Sequence, residues 1–261
     1  MDRLRFISFA SGSDGNCYYL GNARHGILID AGIGPRVLKK RLKEIGLSTE
    51  NIIGVFITHD HYDHIKGILP FGNDFHFPIY ATKAVFDGIN QCRAIKGKLY
   101  NGRTFIEKKK PVQLNEFTVE AFDVPHDGHD NVGYCIRYND KNFVIATDLG
   151  HIEEEQAAYF RKANILVIES NYDQQMLEKN NYPDFLKVRI DGERGHLCNE
   201  DTANFLAQNC NDQLTHVFLC HLSRHSNTPE LAFECTSQKL CGRNIEITVL
   251  PRTSPCDLVV F

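Results

Sequence analysis

The sequence predicts an α+β protein in which sheets pack together and helices lie outside, and three features predict it. Apolar runs of strand length crowd the first half of the 261 residues, and the second half mixes such runs with helical patterns. That order lacks the regular alternation of strand and helix that a doubly wound parallel sheet requires. No Ser/Pro-rich linker or composition break divides the chain, so residues 1–261 are expected to form a single domain.

Taken in order, residues 4–9, 17–20 and 26–30 read as strands separated by turns containing Gly and Asn. Residues 35–46 read as a helix: Pro35 opens it, Leu38, Leu42 and Ile45 repeat at i, i+4 and i+7, and Gly46 closes it. A buried-type strand over 52–58 is followed by a short helix from Asp63 to Pro70. Further strands are expected at 117–124, 133–138, 142–147, 165–169, 216–220, 245–250 and 258–261. Helices fit 84–90, 153–161, 200–208 and 229–240. Asn199 reads as the cap of the third of these and Thr228 as the cap of the fourth, because Pro229 follows at the first helical position, and Ser223 reads as a loop residue.

A hydrophobic fraction of 42% and a charged fraction of 24% lie near globular averages and argue against disorder, collagen-like repeats and coiled coil. No apolar run approaches the ~18 residues of a membrane span. The first seven residues carry charges without an apolar signal core. Nine cysteines, an odd number without a CxxC pair, suit reduced thiols, and a cytoplasmic location is expected. The net charge of −4 gives no general pull toward nucleic acid. Its distribution is uneven, with seven basic residues against Glu107 over 93–110 and five against Glu44 over 35–46. Such runs are ordinarily solvated faces, and a groove for a polyanion is the sharper alternative.

The most informative segment is Thr58-His59-Asp60-His61-Tyr62-Asp63-His64-Ile65, at the exit of the 52–58 strand. Along an extended strand end His59 and His61 face one side, and Asp63 and His64 fall in the first turn of the next helix. Two imidazoles therefore address one point, and a carboxylate with a third imidazole a neighbouring one, which supports two metal ions rather than one. Later candidates each follow an apolar run: His126, Asp148 and His221. Borderline ions such as zinc accept imidazole and carboxylate together.

This segment resembles the HxHxDH signature of the metallo-β-lactamase fold, and the chain is most similar to its WalJ/YycJ-like branch. The resemblance is also carried by Ala10-Ser11-Gly12-Ser13-Asp14-Gly15-Asn16, Glu169-Ser170-Asn171-Tyr172-Asp173, Gly195-His196-Leu197-Cys198-Asn199 and His221-Leu222-Ser223. It implies a four-layer αβ/βα fold with two packed sheets. It implies that His59, His61 and His126 hold one metal, that Asp63, His64 and His221 hold the other, and that Asp148 bridges them. It further implies 5′ to 3′ exonuclease action on DNA. Two departures stand out: Cys198 occupies the place of a Ser, and Leu149 follows Asp148 where Thr is common.

Two divalent ions, zinc or manganese with iron as a further candidate, would ionise a shared water near neutral pH and so support hydrolysis. Asp63, Asp148 and His196 are the candidate catalytic residues, His196 as a proton donor or anion contact beside a helix start. Glu169 is a candidate for orienting a ligand histidine. Ser11, Ser13 and Asn16 in a Gly-containing turn, with Lys108, Lys109 and Lys110, are candidate substrate contacts on DNA. Asp60 either orients a neighbour or faces solvent, and His129, His151 and His225 are read as non-ligands. No membrane partner is expected. The same fold also serves small thioesters, lactams or lactones, and a non-catalytic metal-stabilised binding protein is the reading from another class.

Overall fold

The apolar runs build two seven-stranded sheets, one in each of two units of the chain, in the computed structural model, which describes residues 3–261. The first unit comprises the chain up to Glu107 together with Gly128–Asn131 and Pro251–Phe261, and the second comprises Lys108–Asp127 and Val132–Leu250.

In the first unit the strands are β1 (Arg5–Gly12), β2 (Gly15–Gly21), β3 (Gly26–Ile29), β4 (Ile52–Phe56), β5 (Ile79–Ala81), β6 (Arg103–Phe105) and β14 (Val259–Val260), in the order β14-β1-β2-β3-β4-β5-β6. β14, β1, β2 and β3 run antiparallel, and β3 to β6 run parallel. Helix α1 (Pro35–Glu44) begins at its proline and buries Leu38 and Leu42, and the chain leaves it through Gly46 at φ 76°. The hairpin of β1 and β2 is tighter than expected, because pairing continues to Gly12 and Gly15 and leaves only Ser13 and Asp14 as the turn.

One expected helix is two. Residues 62–73 form α2 (Tyr62–Ile65) and α3 (Ile68–Asn73), broken at Gly67, whose amide donates to Ala31 O at 2.7 Å. A Cβ at Gly67 would lie 2.2 Å from Ile33 O, so only glycine lets the chain pass this close. Helix α4 (Lys83–Gln91) is capped by Thr82, whose Oγ1 accepts from Val85 N.

The second unit holds β7 (Val112–Leu114), β8 (Phe117–Asp123), β9 (Val132–Tyr138), β10 (Lys141–Ala146), β11 (Ile165–Glu169), β12 (His216–Cys220) and β13 (Glu246–Val249), in the order β13-β12-β11-β10-β9-β8-β7. β7 to β10 are antiparallel and β10 to β13 parallel. Residues 165–169 are buried without interruption, as parallel strands covered on both faces must be. Each Leu, Ile or Phe buried here contributes about 1.5–3 kcal/mol. Helices α5 (Glu154–Phe160), α8 (Asn199–Asn209) and α9 (Pro229–Lys239) follow expectation.

Helices α6 (Gln174–Lys179) and α7 (Asp184–Ile190) and the three-residue strands β5, β6 and β7 were not expected from the sequence. The cap of α8 is Cys198, not Asn199: the Cys198 Sγ accepts from Asp201 N at 3.3 Å, while the Asn199 side-chain Oδ1 accepts from Ser170 Oγ at 2.7 Å. Thr228 caps α9 as expected, with Oγ1 accepting from Leu231 N. Among the described residues no helix is long and apolar enough to cross a membrane.

Candidate active site

The parallel strands of each unit stop at the residues of interest. β4 leads to His59 in the first unit, whereas in the second β10 leads to Asp148, β11 ends in Glu169 and β12 leads to His221. Three strand-end residues lie in the left-handed region, Asp30 at φ 62°, Asp148 at φ 54° and His221 at φ 55°. Non-glycine residues seldom adopt this conformation, and where they do the surrounding structure holds them there.

In the first unit the His59 ring lies 4.6 Å from that of His61 and 4.1 Å from that of His64. His64 Nδ1 donates to the buried Asp30 carboxylate at 2.7 Å. Thr58 Oγ1 donates to the same carboxylate at 2.9 Å and accepts from His59 Nδ1 at 2.9 Å. Both imidazoles thus carry their proton on Nδ1, which makes Nε2 the lone-pair nitrogen. Burial raises the Asp30 carboxyl above its ordinary value, and the charge of His64 with the His64 and Thr58 hydrogen bonds offsets part of that rise. Asn16 Nδ2 donates to His64 Nε2 at 2.9 Å and to Asp63 Oδ2 at 3.2 Å. One donor group therefore marks the point on which both lone pairs converge.

Asp60 is buried and accepts from His129 twice, from the backbone amide at 2.9 Å and from Nδ1 at 2.7 Å. Gly88 on α4 makes room for the pair, since a Cβ there would lie 2.3 Å from Asp60 Oδ2.

In the second unit Glu169 is a hub. Its Oε1 accepts from Nδ1 of both His196 and His221 at 2.8 Å, and its Oε2 accepts from Leu149 N at 2.8 Å and Leu197 N at 3.2 Å. Burial pushes the Glu169 carboxyl up, but the charge of His196 and the hydrogen bonds from both imidazoles outweigh it and hold the group well below the usual carboxylate range. Ligand-capable atoms of Asp148, Glu169, His196 and His221 lie within 4.8 Å of one another. The Nδ1 protons of both histidines are committed to Glu169, so this cluster is a hydrogen-bonded support rather than itself a set of four ligands.

Thr147 Oγ1 donates to Asp148 Oδ2 at 2.8 Å, and Asp148 Oδ1 lies 3.7 Å from His126 Nε2. His126 Nδ1 donates to Gly195 O at 2.8 Å. A side chain at Gly195 would meet Ile190 O at 2.2 Å, which fixes glycine beside His196. In His59, His64, His126 and His221 alike, an oxygen takes the Nδ1 proton and Nε2 is the atom a metal would receive. Imidazole nitrogens and carboxylate oxygens held in this way fit a divalent ion.

A family model, the Beta-lactamase superfamily domain, matches residues 25–219. The chain belongs to that superfamily. Within the superfamily it is 33% identical over 238 residues to the exodeoxyribonuclease YycJ of Bacillus anthracis, covering 91% of this chain and 89% of the relative. It is 30% identical over 247 residues to the exodeoxyribonuclease WalJ of Streptococcus pneumoniae, covering 94% of this chain and 91% of the relative. The crystal structure of YhfI from Bacillus subtilis, a metallo-β-lactamase fold protein, superposes with a TM-score of 0.74 at 16% identity, over 100% of both chains. The two mixed sheets with their helices are thus the metallo-β-lactamase fold, as the HxHxDH segment implied, and the branch is the WalJ/YycJ-like one.

For this β-lactamase superfamily member the remaining candidates fall as follows. Ser11 is buried with its hydroxyl 2.9 Å from that of Tyr18, the Gly12 amide donates to Asn16 Oδ1 at 2.9 Å, and Ser13 is exposed. Lys108 pairs with Asp123, and Lys109 pairs with Glu155 at 2.8 Å. His151 bonds Glu193 O and Glu153, and the His225 ring lies 6.0 Å from that of Tyr182. Sequence reasoning passed over Asp30 and left Asp60 open. A carboxylate directly after the apolar run 26–29 was the available signal for Asp30, the same strand-end signal that marked Asp148.

Proposed function

We propose that this chain is a dinuclear metal-dependent hydrolase that cuts phosphodiester bonds in DNA, acting as a 5′ to 3′ exonuclease in the cytoplasm with residues 1–261 as one catalytic domain. The observation that carries the metal dependence is the shared pattern at His59, His64, His126 and His221, each with an oxygen on Nδ1. The choice of DNA is supported by the exodeoxyribonuclease names of relatives that match over nine-tenths of the chain.

His59, His61 and His126 would hold one ion, Asp63, His64 and His221 would hold the other, and Asp148 would serve both. Zinc and manganese suit this mixed donor set, with iron as the further candidate. When bound, the ions supply an acidified water at neutral pH and neutralise charge on the phosphoryl oxygens. The protein's own contribution is orientation and proton transfer. Glu169 fixes the tautomer of His221 and of His196 together. His196, with Nδ1–H on Glu169, donates from Nε2 only as the imidazolium, whose positive charge the Glu169 carboxylate stabilises; it gives the Nε2 proton to the leaving oxygen and returns to the neutral Nδ1–H form.

Chelation is expected to abolish cleavage of 5′-phosphorylated duplex DNA, and zinc or manganese to restore it. Asp148→Ala should lower bound metal, measured by elemental analysis, together with activity. Two metals per chain at parental affinity in that variant would remove Asp148 from the ligand set. Turnover of a thioester or lactam with none on DNA would move the chain to a different substrate class.

A further inference from the structure

Between Arg93 and Phe105 the chain carries four cations and no acidic residue. Arg93, Lys96, Lys98 and Arg103 are all exposed, and among the described residues none of the four takes part in an ion pair. This distinguishes them from Lys108 and Lys109 further along the same basic run, whose charges are matched by Asp123 and Glu155. The nearest acids in the flanking elements are Asp74, Asp87 and Glu107.

Two aromatic side chains stand among these cations, Tyr100 at 74% exposure and Phe105 at 61%. The segment is a built loop. Asn73 holds it at both ends of a short turn, donating from Nδ2 to Lys98 O at 2.9 Å and accepting from Tyr100 N at 3.0 Å. Leu99 is buried between them, and so Lys98 and Tyr100 are turned outward. Gly102, at φ 80°, brings the chain into β6, where its carbonyl accepts from Ile79 N at 2.6 Å. Among the described residues β6 is the edge of its sheet, pairs only with β5, and has all three residues exposed.

We propose that this edge, from Arg93 to Phe105, is a binding surface for single-stranded DNA, with Arg93, Lys96, Lys98 and Arg103 on phosphates and Tyr100 and Phe105 stacking on bases. Basic residues on an edge strand also serve to prevent strand pairing between molecules, but that role does not account for the exposed Tyr100 or for the open side of the Phe105 ring, whose other contact is an edge-on packing with Phe86 at 5.4 Å. Cations with interleaved aromatics are the combination that unpaired nucleotides require, because a base within a duplex offers no free face. β4, β5 and β6 are parallel neighbours in which Phe56 pairs with Tyr80 and Tyr80 with Thr104. Phe105 therefore lies at the strand end from which the chain proceeds to His59, two strand spacings or about 10 Å across the sheet. The proposal rests on the nuclease reading for its substrate, and it adds that one strand is gripped unpaired.

The test uses the full-length metal-loaded chain and a fluorescent phosphorothioate oligothymidine that resists cleavage. Tyr100→Ala should weaken binding by roughly fivefold to a hundredfold, the range of one lost base stack, and Tyr100→Phe should restore it. Lys96→Glu, Lys98→Glu and Arg103→Glu together should reduce the slope of log affinity against log salt by about two, at roughly 0.7 per phosphate contact. Turnover of bis(p-nitrophenyl) phosphate should be unchanged in both variants. Unaltered affinity and slope in a protein that still degrades DNA would overturn the surface and leave the nuclease reading intact. Binding that depends on Tyr100 in a protein unable to cleave any DNA would support the surface and overturn the nuclease reading. Equal affinity for duplex and single strand, insensitive to Tyr100, would overturn the assignment to unpaired DNA, as would binding to phosphatidylserine vesicles without binding to oligothymidine.

Discussion

His196 and His221 share one carboxylate oxygen of Glu169, yet the proposed function gives them different work. If His221 is a ligand and His196 a proton donor, as proposed, His196→Ala should retain the bound metal in full. Loss of general acid–base help typically costs about 10²- to 10⁴-fold, and a loss of that size in DNA turnover is expected. A nitrophenyl ester, whose leaving group needs no proton, should suffer less. Equal losses on the two substrates with full metal content would reassign His196 to phosphate binding, and no loss at all would leave it a loop residue. Glu169 was read from sequence as either orienting a ligand histidine or organising a loop, and its carboxylate accepts from two imidazoles and from the backbone amides of Leu149 and Leu197 alike.

At the scale of elements, Gly88 tests whether the Asp60–His129 pair shapes α4. Replacing a helix-interior glycine by alanine usually stabilises by about 0.5–1 kcal/mol. Here the added Cβ would lie 2.3 Å from Asp60 Oδ2 and 2.8 Å from His129 Nδ1, so Gly88→Ala should lower the melting temperature instead. An unchanged or raised value would show that the pair moves aside at little cost. The strands that lead to the candidate ligands were legible because an apolar run followed directly by His, Asp or Glu is a strong local pattern. β6 was not, because none of its three residues is buried and it has no period to read. Helix α7 is similar, with no buried residue. The break at Gly67 was hidden for another reason: its cause, the carbonyls of Ala31 and Ile33, lies more than thirty residues earlier in the sequence. Asp30 likewise acquires its meaning only from His64, 34 positions away. Cys198 caps α8 in the position where the related pattern has Ser, a substitution the local hydrogen bond absorbs.

For the molecule as a whole, the net charge of −4 conceals how its cations are distributed. The run over 93–110 is continuous in sequence but divided in structure, for Lys108 and Lys109 already face carboxylates. Exposed ion pairs of this kind contribute about 0–1 kcal/mol. Lys108→Ala with Lys109→Ala should therefore change thermal stability little and reduce the salt slope of DNA binding by less than the roughly 0.7–0.9 of one phosphate contact. A reduction near twice that would place these lysines on the DNA backbone. The left-handed conformations of Asp30, Asp148 and His221 bear on which substitutions these positions accept. At such positions the backbone tolerates glycine and asparagine best, while a metal or its supporting imidazole needs a carboxylate or a ring nitrogen. Glycine or asparagine at Asp148 or His221 would ease the backbone while removing the carboxylate or the imidazole, so backbone preference and side-chain chemistry pull these two positions in opposite directions.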